Sequence, residues 1–225
     1  VVASHLLLAG DADLVLAGAV DLILTPATVA GFANMRVLAD HADPSRACRP
    51  LDRARSGLVL AEGGTVFALE REEAALRRDA RVRAVLLGYG IAGGAMEPAA
   101  DGVARAVALA LERAGVGARG IDHLNLHAAG TPRGDLAEAQ ALHAALGDRA
   151  AAVPATAPKS MLGHAMGAAG GLETAVLVRS LETQRVPPHL FPEMPTTYQY
   201  ERILGFWPEI SGYNGEIMPP SGHSK

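Results

Sequence analysis

Apolar residues recur along the first 187 positions in two spacings, and the spacing decides which element each stretch predicts. Residues 13–18 (DLVLAG) and 58–69 (LVLAEGGTVFAL) are compact apolar runs that predict buried strands, the second broken into a hairpin at Gly63 and Gly64. Residues 83–88 predict another strand. Residues 99–114 place Val103, Val107, Ala110 and Leu111 at helical spacing, which gives one core-facing stripe. A strand over 121–126, a helix over 136–146, a short strand over 152–157 and a helix over 168–181 follow. Strands alternating with helices of this length predict an α/β fold with a mostly parallel sheet covered by helices.

Composition changes this picture near Pro188. The body is rich in Ala, Gly and Arg and has Lys159 as its only lysine, whereas residues 191–225 hold Phe191, Tyr198, Tyr200, Phe206, Trp207 and Tyr213 among many prolines. That tail is expected to be loosely packed. A chain of 225 residues, 49% hydrophobic, can bury a core as one domain or two small ones. A net charge of -4 offers no basic patch for a phosphate backbone, which argues against nucleic-acid binding. The single cysteine, Cys48, allows no internal disulfide and no CxxC metal or redox site, which suits a reducing cytosol. No apolar run approaches the roughly 20 residues of a membrane span, and the opening VVASHLLLAGDAD lacks a basic leader. A cytoplasmic protein without membrane, nucleic-acid or metal ligands is expected.

One glycine motif is a decoy. Residues 87–94 (LGYGIAGG) match GxGxxG after an expected strand, but Glu97 and Pro98 separate them from the next helix, and Glu112 falls inside that helix. A dinucleotide fingerprint opens its helix directly, so these glycines read as a loop.

Two segments carry chemistry. In 125–138 (NLHAAGTPRGDLAE) His127 leaves the end of a strand into a Gly/Thr/Pro turn, and Asp135 with Glu138 three residues on reads as a helix cap and its capping-box partner. In 157–173 (APKSMLGHAMGAAGGLE) Lys159 precedes His164 by five residues, and small residues then enter a helix and permit close backbone approach. His5, His41, His123, His143, His189 and His223 match no pattern and read as structural or solvated.

These segments resemble the HGTGTPxGDxxE and KSxxGHxxGAAG motifs of β-ketoacyl-acyl carrier protein synthases, and residues 48–70 (CRPLDRARSGLVLAEGGTVFALE) resemble that family's CRPFDxxRxGFVxGEGAxVLxLE. The resemblance implies a thiolase-like fold of layered helices and mixed, mostly parallel sheets, here incomplete. Residues 1–80 would end an N-terminal half, 81–187 would form most of a C-terminal half, and 188–225 would be a tail without family resemblance. It implies decarboxylative condensation of an acyl thioester with malonyl-carrier protein, in fatty-acid or polyketide synthesis. His127 and His164 would be neutral N–H donors to the malonyl thioester. Lys159, paired with a carboxylate such as Glu138, would hold a fixed charge, and Thr131 would contact the phosphopantetheine arm. Asp135 and Glu138 would support the site. The family forms homodimers or heterodimers, works with acyl carrier protein, and needs no cofactor beyond the carrier's arm.

The pattern also departs from the family. A nucleophilic cysteine is expected in a segment upstream of Val1, and nothing in 188–225 resembles the family's GFGGTN segment. Cys48 stands outside the expected site. Ala128 and Ala129 replace Gly and Thr, so that Ala128 is expected to strain the turn and Ala129 to lose a pantetheine contact. Three readings stay open: a synthase fragment inactive alone, a non-catalytic partner similar to chain-length factors, and a thiolase-like acyl-CoA enzyme, the last disfavoured by residues 48–52 and 127–135.

Overall fold

A computed structural model describes residues 1–94 and 100–188. Helix α1 (Val2–Ala9) leads into β1 (Leu14–Asp21), α2 (Pro26–Asn34), β2 (Gly63–Glu70) and α3 (Glu72–Arg77). After the irregular residues 81–94 come α4 (Ala100–Ala114), β3 (Leu124–Asn125), α5 (Pro132–Leu146), β4 (Ala155–Thr156), α6 (Lys159–Leu162) and α7 (Ala169–Thr183).

Strand β1 pairs antiparallel with β2 from Leu14 opposite Glu70 to Asp21 opposite Gly63. Gly63 and Gly64 therefore open a straight strand instead of turning a hairpin, because β1 supplies the partner along all of it. The residues before them make two parallel bridges, Leu58 to Leu38 and Leu60 to His164. Strands β3 and β4 are parallel. The sheets are thus mixed, with the longest pairing antiparallel and the shorter ones parallel.

Alternation along β1 and β2 sorts their residues onto two faces. The inward face, with Ala19 and Thr65, meets α7, where a Cβ on Gly171 would lie 2.2 Å from Thr65 Oγ1. The small residues read from the sequence thus seat this helix on the sheet. A second core joins Leu126 and Ala128 after β3, Ala139, Leu142 and Leu146 of α5, and Val153, Ala155 and Ala157 around β4, with Val107 and Leu111 of α4 packed against it.

Some expectations fail for visible reasons. Residues 83–88 form no strand: among the described residues no neighbour offers them a ladder, and Val85, Leu86 and Leu87 stay exposed. Val103, placed on the core stripe of α4, is exposed. Gly88 and Gly90 press the loop backbone onto α4, where added Cβ atoms would fall 2.5 Å from Ala110 O and 1.8 Å from Ala106 O, so their role is helix contact. Helix α5 starts at Pro132 with Thr131 at the cap position and no side-chain cap bond, four residues ahead of the expected Asp135 cap. A proline at the first helical position is preset for that start. The expectation for the tail lies outside the described residues from 189 onward. Among the described residues no helix is long and apolar enough to cross a membrane.

The outward face of β1 and β2 carries Leu14, Leu16, Val20 and Val66, each more than half exposed. Contiguous apolar surface of this kind drives association. The purified chain should bind a hydrophobic dye and self-associate, and Leu16→Ser with Val20→Thr should lower both while changing unfolding free energy by no more than about 1 kcal/mol in total. A monodisperse monomer that binds no dye would contradict this, with size-exclusion chromatography and dye fluorescence as the measurements.

Candidate active site

The end of β3, α6 with the turn that follows it and the start of α7 bring His127, Lys159, His164 and Glu173 together. His127 leaves β3 exposed, while Lys159 and His164 are buried. The two imidazoles meet edge to face, with centroids 5.3 Å apart.

Lys159 is the hub. Its ammonium donates to the Glu173 carboxylate and to the His127 carbonyl, and lies 3.4 Å from His127 Nδ1. Its carboxylate partner is therefore Glu173 on α7 and not Glu138. The correction has a simple cause: Glu138 is already engaged, accepting from the backbone N–H of His127 and of Ala128, each at 2.7 Å. Glu173 closes the 157–173 segment, and a carboxylate in the first turns of the helix after the lone lysine is the sequence signal that points to it.

Tautomers follow from these contacts. An ammonium can only donate, so His127 Nδ1 facing Lys159 is an acceptor. The Met166 N–H donates to His164 Nδ1 at 3.2 Å, which makes that nitrogen an acceptor too. Both neutral rings accordingly carry their proton on Nε2. Each titrates at about 4, with loss of water around the ring as the largest cause and the Lys159 charge second; His164 also lowers His127. His127 keeps an exposed edge, so the ammonium at its Nδ1 is the firmer ground for its neutrality.

Beneath the turn, Asp135 is fully buried and accepts from Leu51 N–H at 2.7 Å and Gly130 N–H at 3.0 Å, with Arg55 Nε at 3.4 Å from its carboxylate. Its expected capping role is replaced by this one. Burial pushes the carboxyls of Asp135, Glu138 and Glu173 upward, and their donors or Lys159 pull them back. Gly130 has a φ of 85°, and a Cβ there would meet Gly57 O at 2.6 Å, so two loops touch where no other residue fits. Thr131 caps α5, and a Cβ on Gly134 would lie 2.4 Å from its Oγ1. Ala128 has no positive φ and its methyl is fully buried in the core, so the expected strain at this position does not arise.

Cys48 donates its thiol to the Lys159 carbonyl at 2.7 Å, and burial pushes the thiol up to about 11 despite the lysine charge nearby. It is closer to the site than the sequence suggested, and it is held as a thiol. His5 contacts Tyr89, His41 contacts Asp43 and His123 contacts Thr156, all away from the paired rings. Among the described residues no cluster of His, Cys, Asp or Glu could hold a metal ion.

Comparisons place this arrangement among known proteins. Residues 2–75 match the family model of the β-ketoacyl synthase N-terminal domain, and residues 83–191 match that of the C-terminal domain. A 3-oxoacyl-[acyl-carrier-protein] synthase 2 of Mycobacterium bovis is 40% identical over 195 residues, covering 84% of this chain and 46% of that protein. One from Coxiella burnetii is 35% identical, covering 86% and 48%. The chain spans about half the length of the curated relatives it matches. Among solved structures, a β-ketoacyl synthase from Burkholderia phymatum has a TM-score of 0.79 at 35% identity, over 84% of this chain and 46% of that one. A type II polyketide ketosynthase in complex with its acyl-carrier protein has a TM-score of 0.80 at 30% identity, over 83% and 48%.

Neutral, desolvated histidines give a stability test with a definite sign. The folded rings titrate below the ordinary value of 6.5, so their contribution is complete above pH 6.5 and is lost as pH falls toward about 4, where the unfolded chain alone binds the proton. The unfolding free-energy difference between the parent chain and His164→Asn should shrink steadily across that window in chemical denaturation. A difference that is constant or grows on acidification would contradict the assignment.

Proposed function

The chain belongs to the β-ketoacyl synthase family, and on that premise we propose that its site performs the malonyl half of a decarboxylative Claisen condensation in fatty-acid or polyketide biosynthesis. The observation that carries this reading is the pair of neutral imidazoles, both with Nδ1 occupied by a donor and Nε2–H left to donate.

A malonyl thioester carbonyl set against these two N–H groups accepts from both. Breaking the bond between the malonyl α-carbon and its carboxylate releases CO2 and leaves the electron pair as an enolate, with charge on the oxygen the imidazoles face. Donors fixed in advance stabilise that charge as it develops, which lowers the barrier more than it tightens binding. The enolate carbon attacks an acyl thioester carbonyl, the C–S bond breaks, and the thiolate leaves with its electron pair. Burial and the Lys159 charge keep both rings neutral, Lys159 orients His127 and the Met166 N–H orients His164. Thr131 contacts the phosphopantetheine arm that an acyl carrier protein brings, so the chain itself needs no cofactor. The solved ketosynthase described with its acyl-carrier protein supports that partner class.

Cys48 is unfit to hold the acyl group, since a nucleophilic thiolate needs a lowered pKa and Cys48 has a raised one. The 225 residues by themselves are therefore read as competent for decarboxylation and not for condensation. The retained histidine pair and lysine favour this over a chain-length-factor-like partner without catalytic groups.

Malonyl-pantetheine incubated with the purified chain should lose CO2 and, after the enolate takes a proton from water, yield acetyl-pantetheine. His127→Ala and His164→Ala should each slow this by roughly 100-fold or more. A rate indifferent to both substitutions would overturn the reading.

Intact-mass measurement after exposure to acyl-CoA should show no rapid stoichiometric acylation, with Cys48→Ser as the control for adventitious labelling. β-Ketoacyl product formed by the chain without another protein would contradict the division of labour proposed.

A further inference from the structure

We infer that Arg55 is a positioning residue for the ligand-facing turn at 127–131, acting as the counter-charge of the buried Asp135 carboxylate that holds the turn's backbone. The Arg55 side chain is 5% exposed and that of Asp135 is 0% exposed, with Nε 3.4 Å from Oδ2. The guanidinium also donates to Asp52 O at 3.0 Å, to Pro132 O at 2.6 Å and to Thr131 O at 3.4 Å. One planar fork thus ties the loop carrying Leu51 to the first residues of α5.

The charge is needed as well as the geometry. Around Asp135 stand Arg55, the Lys159 ammonium, the Glu138 carboxyl and the Cys48 thiol, along with the N–H groups of Leu51 and Gly130. Arg55 is the cation in contact with it. A buried carboxylate deprived of its cation protonates. The protonated form has one oxygen converted to a donor, which leaves the Leu51 and Gly130 N–H groups competing for reduced acceptor capacity. The turn that presents Thr131 and His127 would then loosen below the pH at which Asp135 takes its proton.

The role of Thr131 in contacting pantetheine rests on the function proposed above, and the test separates the two. In the full chain, the Asp135 carboxyl carbon and the Gly130 amide are followed by NMR against pH in the parent, Arg55→Met, Arg55→Lys and Arg55→Met with Asp135→Asn, and pantetheine affinity is measured on the same samples. Arg55→Met should raise the Asp135 midpoint by roughly one to three units. The Gly130 amide should shift with that midpoint, and pantetheine should bind about tenfold more weakly below it, near the loss of one hydrogen bond to a held group. In the double variant this pH dependence should vanish. Arg55→Lys, which retains the charge, should keep the midpoint near the parent value yet bind pantetheine several-fold more weakly, because one ammonium cannot serve all the acceptors; this arm decides the matter if Arg55→Met does not fold. An unmoved midpoint in Arg55→Met, or a moved midpoint with Gly130 and pantetheine affinity flat, overturns the proposal. A parent chain that binds no pantetheine overturns the reading of Thr131, while the Asp135 and Gly130 arms still decide the role of Arg55.

Discussion

Lys159 places an ammonium in the interior with 2% of its surface exposed, and much of the site is arranged to make that tolerable. A buried cation without partners costs several kcal/mol, so its three N–H donors must all be answered. Glu173, the His127 carbonyl and His127 Nδ1 answer them. Two belong to the residue that leaves β3 and one to α7, so satisfying the lysine registers the end of β3, α6 and the first turns of α7 against one another. Burial disfavours a protonated imidazole here and the same charge adds to it, which leaves the two rings neutral and their remaining N–H groups free to donate.

The backbone around this charge is held in conformations that few side chains adopt willingly. Leu51 and Met166 have φ values of 64° and 41°. A non-glycine residue there costs on the order of 1–3 kcal/mol and persists only where surroundings over-determine it. In both cases the N–H of the strained residue makes a bond that fixes the site: Leu51 to Asp135, Met166 to His164 Nδ1. The strain and the function therefore sit on the same peptide groups. Buried carboxylates play the matching part on the other side, since Asp135 and Glu138 between them collect N–H donors from Leu51, His127, Ala128 and Gly130.

Much of this was legible in the sequence because motif residues specify chemistry that no other residue type can supply. The two histidines and the lone lysine of the body announce themselves by type and spacing, and α4, α5 and α7 by their apolar period. What was not legible is pairing. A carboxylate at the seventh residue of α5 and another on α7 look alike as partners for Lys159; only the prior engagement of Glu138 with two amides decides for Glu173. The run at 58–69 reads as a hairpin by composition, but whether it turns back depends on β1, which lies some forty residues earlier. Residues 83–88 have strand composition and no ladder among the described residues. The left-handed backbone at Leu51 and Met166 leaves no trace in residue type at all.

The chemistry proposed for this site depends on the protonation of two imidazoles. Nitrogen-15 NMR of His127 and His164 at pH 7, assigned by substituting each in turn, reads it directly. Both rings should be neutral with the proton on Nε2, and replacing Lys159 by Met should free the His127 ring to populate the other tautomer or to protonate at higher pH. A cationic ring at pH 7 in the parent chain, or a proton resident on Nδ1 of either histidine, would contradict it.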